Sequence, residues 1–448
     1  MASELTTDFI EEVIAEITAG KSTEVLNLFQ DFLEQDISAV LLELEYDQAA
    51  YVLRLFDTEL GAQVLKELDV DFRKKLLKIF TPNEIASYIE FIASDDAADI
   101  INEQSVKTGE EVIMLIQTIE KANYIRDLLR YDEDCAGGLM AKELIKANIH
   151  WSIKQTIEEI RKQTREVEKI YSVYVVDNSD RLLGRVSLKR IILAEDNALI
   201  SDIYEDEIIS VESYLHEVDV AEVMRKYDLD AVPVVNIQGQ LLGRITIDDV
   251  VDVITEQADS ERQAMAGISD DVEEDDTIWL LSRSRLPWLI IGMVGGVGGA
   301  RFLGLFEHFI ALVPAMAFFI PLITATGGNV GIQSSSLVVQ SLARGNANDY
   351  FVFSRVLKSF LVSLVNGLVL AVLVFAMNYF FGEDLRIVIV VSFSLFSVVV
   401  VASFLGTITP LILDRLGINP AIASGPFITT ANDLIGLAIY FSLAYLLY

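Results

Sequence analysis

The stretch NPAIASGPFITTANDLIG, residues 419–436, decides the architecture, because it sets a carboxylate and several polar residues inside a long apolar segment. Asp433 is the only charged side chain among the final 29 residues. A carboxylate at the centre of a membrane span costs about 3 kcal/mol, so it normally faces a partner or a water-filled cavity. The alternative is a helix-end carboxylate that reaches water, but the mid-segment position favours a functional site. Its neighbours loosen a helix and offer oxygens to a hard cation: Gly425, Pro426, Thr429, Thr430 and Asn432.

Five apolar segments, near 286–306, 310–342, 352–381, 387–413 and 420–447, are each long enough to cross about 30 Å of hydrocarbon. The second exceeds one span, so we expect it to break within itself. Basic residues should flank the spans on the cytoplasmic side, which predicts a multi-pass protein of the cell (inner) membrane with its C-terminus outside. These residues are Arg283, Arg285, Arg344, Arg355, Lys358 and Arg415.

The second apolar segment carries the polar run PLITATGGNVGIQSSS, residues 321–336. The run contains Gly328, Asn329 and Gln333, which are unfavourable against lipid. It should therefore line a polar path or a helix interface. We favour the path. With Asp433 as the ion ligand, the predicted pore-lining residues are Gly328, Asn329, Gln333, Gly425, Thr429 and Thr430.

The net charge of −33 lies entirely in residues 1–285, because the chain from 286 onward has six basic and six acidic side chains. Such an acidic half does not suit nucleic acid, which requires a basic face, but it suits cations. A single cysteine, Cys135, argues against a disulfide framework, and the acidic N-terminus against a cleaved signal peptide. We also find no nucleophile–base pair or phosphate-binding loop, so we do not expect an enzyme.

Residues 1–130 show apolar spacing that predicts helices only, as in a bundle or short solenoid. Asp95, Asp96 and Asp99 cluster at a predicted helix start, with Asp95 and Asp99 on one face. A helix cap with favourable acids explains them at least as well as a metal site.

An internal repeat lies within residues 139–257: VYVVDNSDRLLGRVSLKRII (173–192) aligns with VPVVNIQGQLLGRITIDDVV (232–251) at an offset of 59 residues. It resembles a tandem pair of CBS domains. Lys189 and Arg190 of the first copy become Asp248 and Asp249 in the second, and Asp252 follows one turn later. Acids on one helical face repel one another, so divalent binding explains them better than solvation. A nucleotide in the cleft of the pair remains an alternative.

The whole chain resembles the MgtE family of magnesium transporters and channels, through both polar motifs and the order of its parts. The resemblance implies a multidomain membrane protein with an all-α N-domain (1–135), an α/β CBS pair (136–198 and 199–256), a linking helix with an acidic linker (257–285) and a five-helix membrane domain (286–448). The linking helix itself is expected near 256–270.

The resemblance further implies a homodimer in the lipid bilayer, with one ion pathway on its two-fold axis and two facing copies of Asp433. It also implies that the cytosolic acidic residues are Mg²⁺ sensors. In this interpretation Asp95 and Asp99 approach Asp228, Asp249 and Asp252, and a Mg²⁺ ion bridges them. Mg²⁺ is then both cargo and regulator, closing the pore when plentiful, and ATP is a candidate ligand of the CBS pair.

One departure from the family pattern is Asn419, where an aspartate commonly precedes the proline, and Gln257 and Ser260 likewise replace acids. These changes predict weaker closure. Other divalent cations, Co²⁺, Ni²⁺ or Mn²⁺, are an alternative cargo, although oxygen-only surroundings favour hard ions. A second alternative is a non-conducting membrane protein regulated by adenosine nucleotides at the CBS pair.

Overall fold

The computed structural model describes residues 6–163, 170–269, 272, 276–343 and 349–447. The chain forms two compact units, an N-terminal unit (Met1–Ile254) and a C-terminal unit (Thr255–Tyr448). Most of the acid-rich stretch 270–276 and the loop residue Arg344 lie outside the described residues.

The first part of the N-terminal unit is helical because turn and capping residues interrupt its apolar spacing at short intervals. Thr81 and Glu84 form a reciprocal capping box, in which the Glu84 N–H donates to Thr81 Oγ1 (3.3 Å) and the Thr81 N–H to Glu84 Oε2 (2.8 Å). The helices are α1 (Thr7–Thr18), α2 (Ser22–Leu28), α3 (Glu34–Leu42), α4 (Tyr46–Leu55), α5 (Thr58–Lys66), α6 (Val70–Leu76), α7 (Pro82–Ile89), α8 (Ser94–Asn102), α9 (Val106–Leu115) and α10 (Ile119–Leu128).

The second part contains two copies of one α/β pattern. Each copy has a three-stranded sheet in which the first two strands are parallel and the last two antiparallel. Gly184 pairs with Val175 and Gly243 with Val234, so the 59-residue offset holds in the strand register. The elements are α11 (Ala136–Leu139), β1 (Ile145–Asn148), α12 (Ile153–Gln163), β2 (Val173–Val176), β3 (Leu182–Val186), α13 (Leu188–Leu193), β4 (Val211–Glu212), α14 (Glu217–Tyr227), β5 (Ala231–Val235), β6 (Leu241–Thr246) and α15 (Ile247–Ala266).

The C-terminal unit is a helical bundle around α20. More than half of the apolar stretch of α20 is buried within the unit (61%), whereas only 6% of that of α16 is buried. The Tyr440 hydroxyl donates to the Met316 carbonyl at 2.9 Å in the core. The helices are α16 (Ile278–Gly304), α17 (Glu307–Leu312), α18 (Ile320–Ala343), α19 (Asp349–Phe380), α20 (Leu385–Arg415) and α21 (Pro426–Leu447), with short 3-10 helices at Pro314–Phe319 and Pro420–Ser424.

The predicted fold class is confirmed: an all-α part, a CBS-type α/β pair and, within the described residues, five helices long and apolar enough to cross a membrane. The second apolar segment is broken as expected, into α17, a 3-10 turn and α18. The linking helix differs from the expectation, because it is the continuation of α15 and ends at Ala266. Gly267 ends it in the left-handed region (φ +79°), with Ile268 N–H donating to the Gln263 carbonyl at 3.0 Å.

Candidate functional site

Asp433 lies where α21 packs against α18. A Cβ atom built on Gly328 of α18 would lie 3.7 Å from Asp433 Oδ1 and 3.3 Å from Thr429 Cγ2. Thr429 and Asp433 are four residues apart and share one face of α21. The glycine therefore lets the two helices approach closely beside the carboxylate.

The helix that carries Asp433 begins at a break in the chain. Pro420–Ser424 form a 3-10 turn, and α21 restarts at Pro426. The Gly425 carbonyl accepts from the Thr429 N–H and hydroxyl, both at 3.4 Å. Asn419 caps the preceding turn, because its Oδ1 accepts from the Ala421 N–H at 2.9 Å. The side-chain amide of Asn419 accepts this capping hydrogen bond as an aspartate carboxylate would.

The end of α15 contacts this break. A Cβ atom on Gly425 would lie 2.7 Å from the Met265 carbonyl oxygen, and one on Gly267 would lie 2.7 Å from Pro426 Cγ. Both distances are too short for a side chain at Gly425 or Gly267 unless the neighbouring atoms shift. The linking helix therefore sits directly on the start of α21 through backbone and proline atoms.

The predicted pore-lining residues divide into two groups. Asn329 and Gln333, four residues apart on α18, are exposed side chains on one helical face. Thr430 lies instead in the contact between α21 and α16, where a Cβ on Gly295 would be 1.9 Å from its Cγ2. Asn329 and Gln333 thus remain available to a polar path, while the Thr430 methyl serves helix packing.

Asn432 does not offer its oxygen to the surface that bears Asp433. Its side chain is 1% exposed, and a Cβ on Gly331 would lie only 1.8 Å from its Nδ2. Among the described residues, neither its amide nitrogen nor its oxygen has a hydrogen-bond partner. The sequence does not show which residues of two separate helices meet, so it could not identify the contact between Gly331 and Asn432.

The serine run of α18 contributes to a helix interface. Ser334 Oγ lies 3.0 Å from Ser403 Oγ of α20, and Ser359 of α19 lies 3.2 Å from Ser403 and 2.7 Å from Thr407 Oγ1. Hydroxyl pairs of this kind hold helices together in an apolar medium. Within the run, Ser334 therefore lies in a helix contact, whereas Asn329 and Gln333 are exposed.

A second candidate site is an acidic cluster in the N-terminal unit, where α8 meets α15. Burial raises the pKa of Asp95 well above its usual range, and the nearby charges of Asp96 and Asp249 raise it further. Asp95 Oδ1 is buried without a hydrogen-bond partner among the described residues. A buried carboxylate oxygen of this kind can serve as a cation ligand, because Mg²⁺ binds through oxygen ligands.

The other acidic residues of the cluster, Asp249 and Asp252, lie in the first turns of α15. Asp249 Oδ2 accepts from the Thr246 N–H at 2.9 Å and from the Thr246 hydroxyl at 2.8 Å, so one oxygen caps the helix. Burial raises the pKa values of Asp249 and Asp252, and the charge of Asp96 raises both further. The charge of Asp96 thus acts on both Asp249 and Asp252, and that of Asp249 acts on Asp95, within a single chain.

Two predicted sensor residues, Asp99 and Asp228, have other surroundings. The pKa of Asp99 is raised to about 7 by desolvation and then by the charges of Asp96 and Glu133, so its neighbours belong to the helical part. Asp228 is the C-cap of α14 in the left-handed region (φ 53°), where it ends that helix. Within the part of the chain that the structure describes, no three His, Cys, Asp or Glu side chains form a metal-binding group.

The CBS pair contains a narrow cleft of about 60 Å³, lined by residues of both copies: Ser172, Tyr174, Arg185, Glu207, Ile208, Ile209, Leu229, Ala231 and Pro233. Arg185 and Arg190 both pair with Glu205, at 3.4 and 3.1 Å. A site for a drug-sized ligand needs roughly 300 Å³ or more. A nucleotide would therefore have to widen the cleft.

Family models match most of the chain. One described as a divalent cation transporter matches residues 320–443, one described as the MgtE intracellular N domain matches 33–134, and the CBS domain matches 136–197 and 200–256.

Relatives are similar to this chain over most of their length. The chain is 36% identical to the magnesium transporter MgtE of Enterococcus faecalis over 326 residues, 72% of each chain. It is 31% identical to the magnesium transporter MgtE of Thermus thermophilus over 436 residues, 96% of each. Among solved structures, the cytosolic domain of the Mg²⁺ channel MgtE in complex with ATP is 27% identical and has a TM-score of 0.51, covering 55% of this chain and 99% of that one.

Proposed function

Because this chain belongs to the MgtE family of magnesium transporters, we propose that it carries Mg²⁺ across the membrane through a pore formed by a homodimer. The observation that carries the proposal is the position of Asp433. This carboxylate lies within α21 beside Gly328, where α21 packs against α18. It falls within the region matched by the divalent cation transporter model.

A dimer explains how one carboxylate per chain serves a divalent cation. Two copies of Asp433 facing each other supply two negative charges, which match the charge of Mg²⁺. Because Mg²⁺ loses its water reluctantly, the ion passes largely hydrated, with water bound between it and the protein oxygens. Asn329, Gln333 and Thr429 supply oxygens along the proposed path, and Gly328 lets α18 approach Asp433 closely.

The proposed orientation puts the N-terminal unit in the cytosol and the C-terminus outside. It rests on the basic residues that flank the spans, such as Arg283, Arg285, Lys358 and Arg415. An odd number of spans then carries the chain to the other side.

We propose that the acidic cluster senses cytosolic Mg²⁺. Burial disfavours the ionised forms of Asp95, Asp249 and Asp252, and repulsion from the charge of Asp96 raises their pKa values further. Bound Mg²⁺ removes the repulsion and favours a compact arrangement, which is a population shift between two states. Asp99 and Asp228 belong to the proposed sensor set on the family resemblance alone.

Closure of the pore follows from the continuity of α15, which begins with Asp248 and Asp249 and ends on α21. In the proposed closed state, Gly267 and Met265 rest against Pro426 and Gly425, as they do here. Since Asn419 is occupied by its capping bond, this contact does not require a Mg²⁺ bridge at that residue.

We further propose that ATP binds the CBS cleft beside Tyr174 and Arg185. The support is the ATP complex of the similar cytosolic domain. If the protein does not conduct at all, this binding becomes the basis of the alternative, non-conducting regulatory function.

The test is Mg²⁺ flux into liposomes at low and high Mg²⁺ on the cytosolic face, with and without ATP there. Asp433→Asn should lower flux about tenfold or more, because two charges leave the pore of the dimer. Asp414→Asn is the matched control: it removes the same charge from an exposed residue at the end of α20 and should leave flux unchanged.

Equal flux in wild type and Asp433→Asn would contradict the pore assignment. No Mg²⁺ flux in any protein, together with ATP binding, would support the non-conducting alternative. Flux of Mn²⁺ or Co²⁺ in preference to Mg²⁺ would correct the cargo but keep the pore.

A further inference from the structure

A lysine already lies within the acidic cluster. Lys66 is the last residue of α5, and its Nζ is 2.8 Å from Asp96 Oδ2. The charges of Asp95 and Asp249 also act on this ammonium, and together with Asp96 they raise its pKa despite its partial burial. One positive charge from the helical part therefore faces carboxylates of both α8 and α15.

The ammonium only partly satisfies these carboxylates. Asp95 Oδ1 remains buried without a hydrogen-bond partner among the described residues. Burial raises the pKa of Asp252, and the nearby charge of Asp96 raises it further. Lys66 brings one charge to at least four carboxylates: Asp95, Asp96, Asp249 and Asp252. A divalent cation would bring two charges and accept several oxygen ligands at once.

The ion pair is accessible to exchange. The Lys66 side chain is 42% exposed and that of Asp96 is 28% exposed, so solvent and ions can reach it. The Arg73–Glu103 pair of the same helical part is different, since its side chains are only 9% and 7% exposed and Arg73 also donates to the Lys66 carbonyl. A half-exposed ion pair contributes little to stability. Stability therefore does not explain this lysine well.

We propose that Lys66 is a tethered counter-ion that occupies the acidic cluster when Mg²⁺ is scarce and competes with Mg²⁺ for Asp96. Lys66 then sets the Mg²⁺ concentration at which the N-terminal unit responds. The inference rests on the proposed sensing function and adds the residue that determines its threshold. Without Lys66 the cluster is more negative and no internal cation has to be displaced, so Mg²⁺ should bind at lower concentration.

The experiment follows hydrogen exchange of α8 (Ser94–Asn102) in the full-length protein in detergent during a Mg²⁺ titration. Lys66→Gln should lower the half-maximal Mg²⁺ concentration about three- to tenfold, because one nearby positive charge is lost. Lys66→Arg keeps the charge and should stay within about twofold of wild type. Lys21→Gln is the matched control, since Lys21 pairs with Glu16 at 2.9 Å, is 50% exposed and lies on the loop between α1 and α2.

Each outcome decides one point. A wild-type protein whose α8 does not respond to Mg²⁺ would reject the sensing function and the inference with it. If the wild type responds but Lys66→Gln has the same or a higher midpoint than Lys21→Gln, sensing stands and the role of Lys66 is rejected. Loss of the response in Lys66→Gln would also reject it, because the lysine would then be required for binding.

Discussion

Asn432 and Asp433 follow each other in α21, yet they have different environments. Asn432 is buried against Gly331, while Asp433 lies beside Gly328 with part of its side chain accessible. Consecutive residues on a helix point about 100° apart, so one faces the bundle and the next faces the proposed path. The two glycines of α18 therefore serve two different contacts.

Asp99 gives a prediction at the scale of one residue. Its carboxyl titrates near 3.8 in the unfolded chain and near 7 in the folded one. The folded state therefore binds a proton more tightly, and the ionised carboxylate destabilises it: the cost is absent below about pH 4, grows between pH 4 and 7, and is complete above. Asp99→Asn should slow hydrogen exchange of α8 at pH 8 and do so much less at pH 5.

The control for Asp99→Asn is Asp31→Asn, which removes the same charge from an exposed residue between α2 and α3. An Asp99→Asn effect of equal size at pH 5 and pH 8 would contradict the electrostatic explanation and indicate a packing change.

At the scale of the element, α15 is the part that links both candidate sites. Its first turn carries Asp249 in the acidic cluster, and its C-terminus contacts the start of α21. A single helix transmits a displacement along its axis because its backbone hydrogen bonds are continuous. The left-handed Gly267 ends the helix at the point of contact.

Gly267→Ala should disturb this contact. A Cβ there would lie 2.7 Å from Pro426 Cγ, so α15 and α21 must separate, and we expect Mg²⁺ flux at high cytosolic Mg²⁺ to rise severalfold in the liposome assay. Gly382→Ala is the matched control: Gly382 has the same φ of +79°, but its Cβ would meet open space. Both variants carry a backbone strain of about 1 kcal/mol.

Full closure of Gly267→Ala at high Mg²⁺ would show that the contact does not hold the pore shut. A rise in flux in Gly382→Ala as well would assign the effect to strain rather than to the contact with Pro426.

The whole molecule has an unequal charge distribution, with the net charge of −33 confined to residues 1–285 and a neutral remainder. An acidic surface concentrates cations near it, and the effect is screened by salt over about 10 Å at 0.1 M and about 3 Å at 1 M. The acidity of the cytosolic part therefore supports cation sensing beyond the few carboxylates in contact.

Raising NaCl from 0.1 to 0.5 M should raise the half-maximal Mg²⁺ concentration for protection of α8 severalfold. The cause is weaker long-range attraction between Mg²⁺ and the acidic unit. Sucrose at the same osmolality is the control and should leave the midpoint unchanged. A midpoint that does not move with salt would limit the attraction to the direct ligands.

Local patterns in the sequence were sufficient for the fold. Apolar length predicted the five spans, and the gapless 59-residue offset predicted two copies of one α/β pattern, both of which the structure contains. These features depend on the periodicity and length of single segments, so they need no knowledge of how segments meet. The isolation of Asp433 in an apolar segment belongs to the same class.

Only the tertiary structure decided which side chains meet. It brought the charges of Asp95 and Asp249 near each other and paired Lys66 with Asp96. It also turned Thr430 towards Gly295 and Asn432 towards Gly331, and it placed Gly267 against Pro426. Each of these contacts depends on how a helix is rotated and docked, which is set by packing against residues far away in the chain. The sequence by itself therefore determined the segments and their charges, whereas the packed structure determined their partners.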